Sequence, residues 1–125
     1  EFQAAIANPL NQNPWIALSN AATCALDQGD RAGAERQFRD ALQRNPGYAP
    51  ALLRMARLSV DTGDYQGARQ YLDRLSKVAA PTAESLSLTV TVERRLGNRN
   101  KAATYERMLR ERFPDAVEIQ RLKGQ

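Results

Sequence analysis

Any chemistry in this chain falls to arginine, carboxylates and a single thiol. Of 125 residues, 18 are Lys or Arg, 14 are Asp or Glu, one is Cys and none is His. Without histidine the commonest general base and the commonest metal ligand are missing, which removes Ser-His-Asp, Cys-His and His-zinc chemistry. One cysteine makes neither an internal disulfide nor a multi-cysteine zinc site. Cys24 therefore reads as a small buried apolar residue on a helix. The acidic residues show no pairing that differs from solvent-facing helix charge, so two-carboxylate glycoside chemistry has no foothold. The expectation is a protein with no catalytic residue, no metal and no cofactor.

The cations are mostly arginine, 15 against 3 lysines, and they are unevenly placed. Residues 1–52 carry a net charge of −1 and residues 53–125 one of +5. The densest run holds Arg94, Arg95, Arg99, Lys101, Arg107, Arg110 and Arg112 against two acids. On a helical hairpin these charges spread over several faces, so most are expected as solvated surface. An acidic protein or an anionic lipid headgroup is the partner such a patch would serve. Nucleic acid is not expected, because no aromatic platform interleaves the charges and no nucleic-acid motif is present.

Positioning of all these residues is set by a period of 34. Gly29, Gly63 and Gly97 keep that spacing, as do Asp30, Asp64 and Asn98, and Ala34, Ala68 and Ala102. Phe38 aligns with Leu72, Ala41 with Leu75 and Leu109, and Pro46 with Pro114 two periods later. This is the signature of the tetratricopeptide repeat, a helix–turn–helix unit that stacks on its neighbours. Each repeated type has a physical task. Glycine supplies the left-handed conformation that ends the first helix. Asp30, Asp64 and Asn98 suit the cap of the second helix, offering a side-chain oxygen to unpaired N–H groups. The alanines let the two helices approach closely, and proline stops the second helix before the next repeat.

The fold expected is all-α: a right-handed superhelical solenoid forming one array. Residues 1–8 read as the second helix of a truncated repeat, with Phe2, Ala5 and Ile6 in its apolar positions. Full repeats follow over 14–46, 47–80 and 81–114, and residues 115–123 form a capping helix. Asn13 is the expected cap of the first helix, with Pro14 in its first turn. The core candidates are Trp15, Leu18, Ala22 and Ala25, then Leu52, Met55, Ala56, Leu72 and Leu75, then Leu86, Val90, Leu96, Tyr105, Met108 and Leu109. One stretch disagrees locally: Leu86–Val92 alternates apolar and polar residues, which alone reads as a strand. The repeat register makes it a helix, with β-branched residues that weaken it. Apolar atoms of Phe2 and Ile6 would be left bare, so a packing contact with another chain, or weak self-association, is expected there.

Stacked repeats present their first helices along a concave groove where partners bind. By repeat position its lining is Ile16, Ser19, Thr23 and Leu26 in the first repeat. Leu53, Arg57 and Val60 follow in the second, and Ser87, Thr91 and Arg94 in the third, so the lining grows more basic along the array. Repeats that clamp acidic chaperone tails carry Lys and Asn where this chain has Ser19 and Thr23, which disfavours that function. No apolar run reaches the roughly 18 residues a membrane-spanning helix needs. The start, Glu1–Ile6, has no basic segment, no apolar segment and no initiator Met, so the chain reads as part of a longer protein. Ala21-Ala22-Thr23-Cys24 faintly resembles a lipoprotein cleavage box, but no apolar segment precedes it and Asp27 and Asp30 follow.

A narrower resemblance lies in the last third. The segments Ala68-Arg69-Gln70-Tyr71-Leu72-Asp73, Leu96-Gly97-Asn98-Arg99-Asn100-Lys101-Ala102-Ala103-Thr104-Tyr105, Arg112-Phe113-Pro114 and Glu118-Ile119-Gln120 resemble the type IV pilus biogenesis lipoproteins called PilF or PilW. Ile119 stands where that family has an aromatic residue. The resemblance implies the C-terminal half of a protein of about six repeats, facing the periplasm at the bacterial outer membrane. It also implies a pilotin: a non-catalytic scaffold that helps the pilus secretin reach the outer membrane and assemble into its multimeric channel. Membrane contact would then run only through an N-terminal lipid anchor that this chain does not contain. The alternatives are a generic bacterial scaffold for another envelope or cytoplasmic assembly, and anionic polymer or lipid binding by the basic third repeat.

Overall fold

The computed structural model describes residues 13–125, which form seven α-helices and no strand. These are α1 (Pro14–Asp27), α2 (Arg31–Arg44), α3 (Ala49–Asp61), α4 (Tyr65–Ser76), α5 (Ala83–Arg95), α6 (Arg99–Arg112) and α7 (Val117–Lys123). The helix expected over residues 1–8, with the contact expected of Phe2 and Ile6, lies outside the described residues. Contacts divide the chain into two compact units, and the division falls inside α3 between Met55 and Ala56.

In the first unit α1 and α2 pack against each other. Pro14 occupies the first turn of α1, where its missing N–H costs nothing. Asn13 is the N-cap residue, as expected, though its side chain makes no cap bond; its carbonyl accepts from Ile16 N at 3.1 Å. Gly29 ends the helix at φ 81°. That conformation lets Gly29 N reach Leu26 O at 2.9 Å and Asp30 N reach Ala25 O at 2.8 Å. Asp30 Oδ1 then accepts from Gly33 N at 2.9 Å and caps α2. A Cβ on Gly33 would run into the Asp30 carboxylate, so the cap and the glycine three residues later are one device. Ala34, Phe38 and Ala41 are fully buried beneath α1, with Ala22.

The same device recurs in the second unit. Gly63, at φ 82°, donates to Val60 O at 3.0 Å, and Asp64 Oδ1 accepts from Gly67 N at 3.0 Å. Helix α5 packs on α4, α6 and α7. The core here is Leu86, Val90, Ala102, Leu109, Ile119 and Leu122, with Tyr105, Met108 and Phe113 packed against it. Leu86–Val92 is helical, as the register requires. Its alternation has a physical cause, because α5 is buried on two sides. Leu86, Val90 and Glu93 share one face, while Leu88 and Val92, also buried, lie about half a turn away. Thr82 and Ser85 start this β-branched helix with reciprocal bonds of 3.0 and 2.9 Å, a capping box.

The third turn departs from the other two. Gly97 repeats the left-handed conformation at φ 85°, and Asn98 N donates to Glu93 O at 2.8 Å. The Asn98 side chain, however, makes no cap bond to α6. Its Nδ2 donates to Glu93 Oε1 at 2.7 Å, because a buried carboxylate nearby needs donors more than the helix end does. Where Gly33 and Gly67 stood in the earlier turns, this one carries Lys101.

Candidate functional site

The expected lining residues separate into two settings. In the first unit Ile16 is exposed, Ser19 is buried, and Thr23, Leu26 and Leu53 are half-buried. Thr23 Oγ1 donates to Ser19 O of its own helix at 3.1 Å. Ser19 and Thr23 share a cleft with Asn20, Cys24, Tyr48, Pro50 and Arg54. Cys24, expected as a buried core residue, is exposed in that cleft. Ala21 and Ala22 are buried and Ala25 is half-buried, which leaves position 24 toward solvent. Asn20 and Arg54 were not among the expected residues, yet they occupy one register position of successive repeats. They follow directly after Ser19 and Leu53, so the period was the signal that could have found them.

In the second unit Arg57, Val60, Ser87, Thr91 and Arg94 are half-buried, and both arginines are engaged internally. Arg57 grips Glu84 Oε2 with Nη2 at 2.7 Å and Nε at 3.1 Å. Arg94 donates to Glu106 Oε1 at 2.8 Å and to Leu122 O at 3.1 Å. Gln125 Nε2 donates to Thr91 Oγ1 at 2.8 Å. The basic character expected along these positions is thus largely neutralised by the protein's own carboxylates.

The seven cations of the basic stretch divide in the same way. Arg94 and Arg110 share Glu106, Lys101 Nζ lies 3.5 Å from Glu93, and Arg95 stacks 5.7 Å from the Tyr65 ring centre. Arg99, Arg107 and Arg112 are exposed, and none has an ion pair among the described residues. Hydrogen bonds from Arg110, then from Arg94, outweigh burial and hold the Glu106 carboxyl below its ordinary range.

Glu93 corrects the reading of the acids as solvent-facing charge. Its side chain is 2% exposed, yet it is ionised among donors. Arg69 of α4 reaches it with Nη2 at 2.6 Å and Nε at 3.1 Å, and Asn98 adds its amide. Burial pushes the carboxyl up. The bonds from Arg69 and Asn98 and the charge of Lys101 outweigh that and hold it below its ordinary 4.5. A cleft of ≈ 80 Å³ between α4, α5 and α6 has Glu93, Arg69, Lys101 and Tyr105 in its wall. The register again held the clue: Ala25, Ser59 and Glu93 are 34 apart, and Ser59 is also buried. Among the described residues no group of three or more Cys, Asp or Glu is placed to hold a metal. No helix among them is long and apolar enough to cross a membrane.

Known proteins share this architecture. A tetratricopeptide-repeat family model matches residues 25–89, more than half of the chain. The type IV pilus assembly protein PilF of Pseudomonas aeruginosa is 27% identical over 108 residues, which is 86% of this chain and 43% of PilF. The crystal structure of PilW, a widely conserved type IV pilus biogenesis factor, superposes with a TM-score of 0.80 at 31% identity, over 97% of this chain and 56% of PilW. A structure of Pseudomonas aeruginosa PilF gives a TM-score of 0.86 at 24% identity, over 98% of this chain and 57% of that one, which speaks to fold alone. The chain therefore spans about half the length of these relatives. On the matched model and the thrice-repeated helix, glycine turn and helix, the chain belongs to the tetratricopeptide-repeat family, and type IV pilus biogenesis factors are among the proteins it resembles.

Proposed function

We propose that the protein is a non-catalytic interaction scaffold of type IV pilus biogenesis, a pilotin. It presents the solvent side of its first helices to a subunit of the pilus secretin at the periplasmic face of the outer membrane. The observation that supports this most is the likeness to PilW, which spans nearly the whole chain at 31% identity. Ile16, Ser19, Thr23, Leu26, Leu53, Arg57, Val60, Ser87, Thr91 and Arg94 are the proposed contact positions, and Ile16 and Leu53 are the apolar anchors.

The test is capture of the purified secretin subunit by the chain and by Ile16→Glu and Leu53→Glu. Both side chains are at least partly exposed, so the substitutions spare the core. Capture by the parent and its loss in both variants is the expected result; equal capture by all three rejects the surface. A second reading rests on Arg99, Arg107 and Arg112, which have no ion pairs among the described residues: binding of an anionic polymer or lipid by α6. A scaffold serving a different assembly is the remaining alternative, and capture of another envelope protein in place of the secretin would favour it.

A further inference from the structure

Arginines on α3 and α5 are not equivalent. Arg57 is consumed by Glu84, and Arg94 by Glu106 and the Leu122 carbonyl. Arg54 is different. It is exposed, and among the described residues neither an ion pair nor a hydrogen bond holds its guanidinium. It lines a cleft with Ser19, Asn20, Thr23, Tyr48 and Pro50, and among the described residues no acidic one lines that cleft. The Asn20 carboxamide and the Tyr48 hydroxyl are likewise without hydrogen bonds in the described structure. A guanidinium without a counter-charge, beside two polar groups with unused capacity and the apolar faces of Tyr48 and Pro50, has a defined complement.

We infer that this cleft is a binding subsite for an acidic side chain in an extended segment of a protein partner. The partner's carboxylate pairs with Arg54. The Asn20 amide and the Tyr48 hydroxyl meet its backbone, and an adjacent apolar side chain lies on Tyr48 and Pro50. A side-chain carboxylate suits the site better than a chain terminus, because Arg54 is the one cation among the described lining residues. The inference deepens the scaffold reading by naming what the partner must carry at one position, and it rests on that reading for the partner being a protein.

Cys24 makes the cleft testable without the partner, since it is the chain's one cysteine, exposed in the lining and a ready reporter. Its modification rate is measured with anionic dithionitrobenzoate and with neutral dithiodipyridine. In Arg54→Gln the anionic-to-neutral rate ratio should fall about threefold at low salt, the effect of one unit charge several ångströms away in a water-like medium. Arg107→Gln, at a residue that lines neither cleft holding Cys24, should leave the ratio near that of the parent. Three peptides then compete at millimolar concentration. The first, blocked at both ends, carries one glutamate between leucine and proline; the second has glutamine there; the third has a carboxylate only at its terminus. Protection of Cys24 by the glutamate peptide alone, lost in Arg54→Gln, is the expected result. An unchanged rate ratio, equal protection by the glutamate and glutamine peptides, protection by none, or better protection by the terminal carboxylate overturns the inference. Failure of the secretin to bind while the glutamate peptide protects would remove the proposed function and leave this subsite standing.

Discussion

Replacing Glu93 by glutamine keeps the volume of the side chain and removes its charge. In the parent, the carboxylate accepts two bonds from Arg69 and one from Asn98, with Lys101 Nζ at 3.5 Å. The glutamine amide offers one acceptor oxygen and turns its NH2 toward groups that are themselves donors. Removing one partner of a buried ion pair costs about 3–5 kcal/mol. Arg69 and Lys101 keep 28% and 45% of their side chains exposed, so both cations regain water when unpaired. That relief lowers the expected loss to about 2–3 kcal/mol, or roughly 8–12 °C in melting temperature for a chain of this size. Urea unfolding followed by circular dichroism measures it directly. The pH dependence carries the sign. The folded carboxyl titrates below its ordinary 4.5, so its contribution is present above that value and is lost as pH falls through the folded value. Parent and Glu93→Gln should therefore differ by a constant amount near neutrality and converge below about pH 4.5. A variant within about 0.5 kcal/mol of the parent at pH 7, or a gap that persists unchanged into acid, would refute the reasoning.

Asn98→Asp, which restores the residue type of the first two turns, should destabilise by about 1–2 kcal/mol, because it takes a donor from Glu93 and sets a second carboxylate beside it; greater stability in urea would show that capping governs this turn. Gly63→Ala should cost about 1–2 kcal/mol from the left-handed backbone alone, since no atom lies within 4 Å of the added Cβ. Gly33→Ala acts by another route, through the Asp30 carboxylate. Its cost of about 1 kcal/mol should shrink markedly in an Asp30→Ala background, and a double-mutant cycle with no coupling would contradict the shared device. Leu109→Ala, at a fully buried position, should cost about 2–5 kcal/mol by thermal or urea melts, and a loss below 1 kcal/mol would mean the core of α5, α6 and α7 collapses around the gap.

Much of the helical architecture could be read from one periodic pattern, because each recurring residue answers a backbone need independent of context. The left-handed turns at Gly29, Gly63 and Gly97 and the caps at Asp30 and Asp64 are of that kind. The strand-like alternation of Leu86–Val92 misleads locally, since a helix buried on two sides loses the single apolar stripe that marks an amphipathic one. What sequence left hidden is pairing at a distance. Whether Asn98 caps a helix or serves Glu93 depends on a carboxylate five residues earlier and an arginine on another helix. The same holds for charge. A count of arginines suggests a basic lining, while the geometry spends Arg57 and Arg94 on Glu84 and Glu106 and leaves Arg54 unspent. Exposure of Cys24 was also illegible, because a small thiol fits either side of an alanine-rich helix.

In the proposed function the solvent side of the first helices meets the secretin. Site-specific photocrosslinking tests it most directly, with a photoreactive residue at half-buried Leu53 of α3 and, separately, at exposed Thr104 of α6. A crosslink to the secretin subunit from position 53 and none from position 104 is the predicted result. A crosslink from position 104 with none from position 53 would contradict the account.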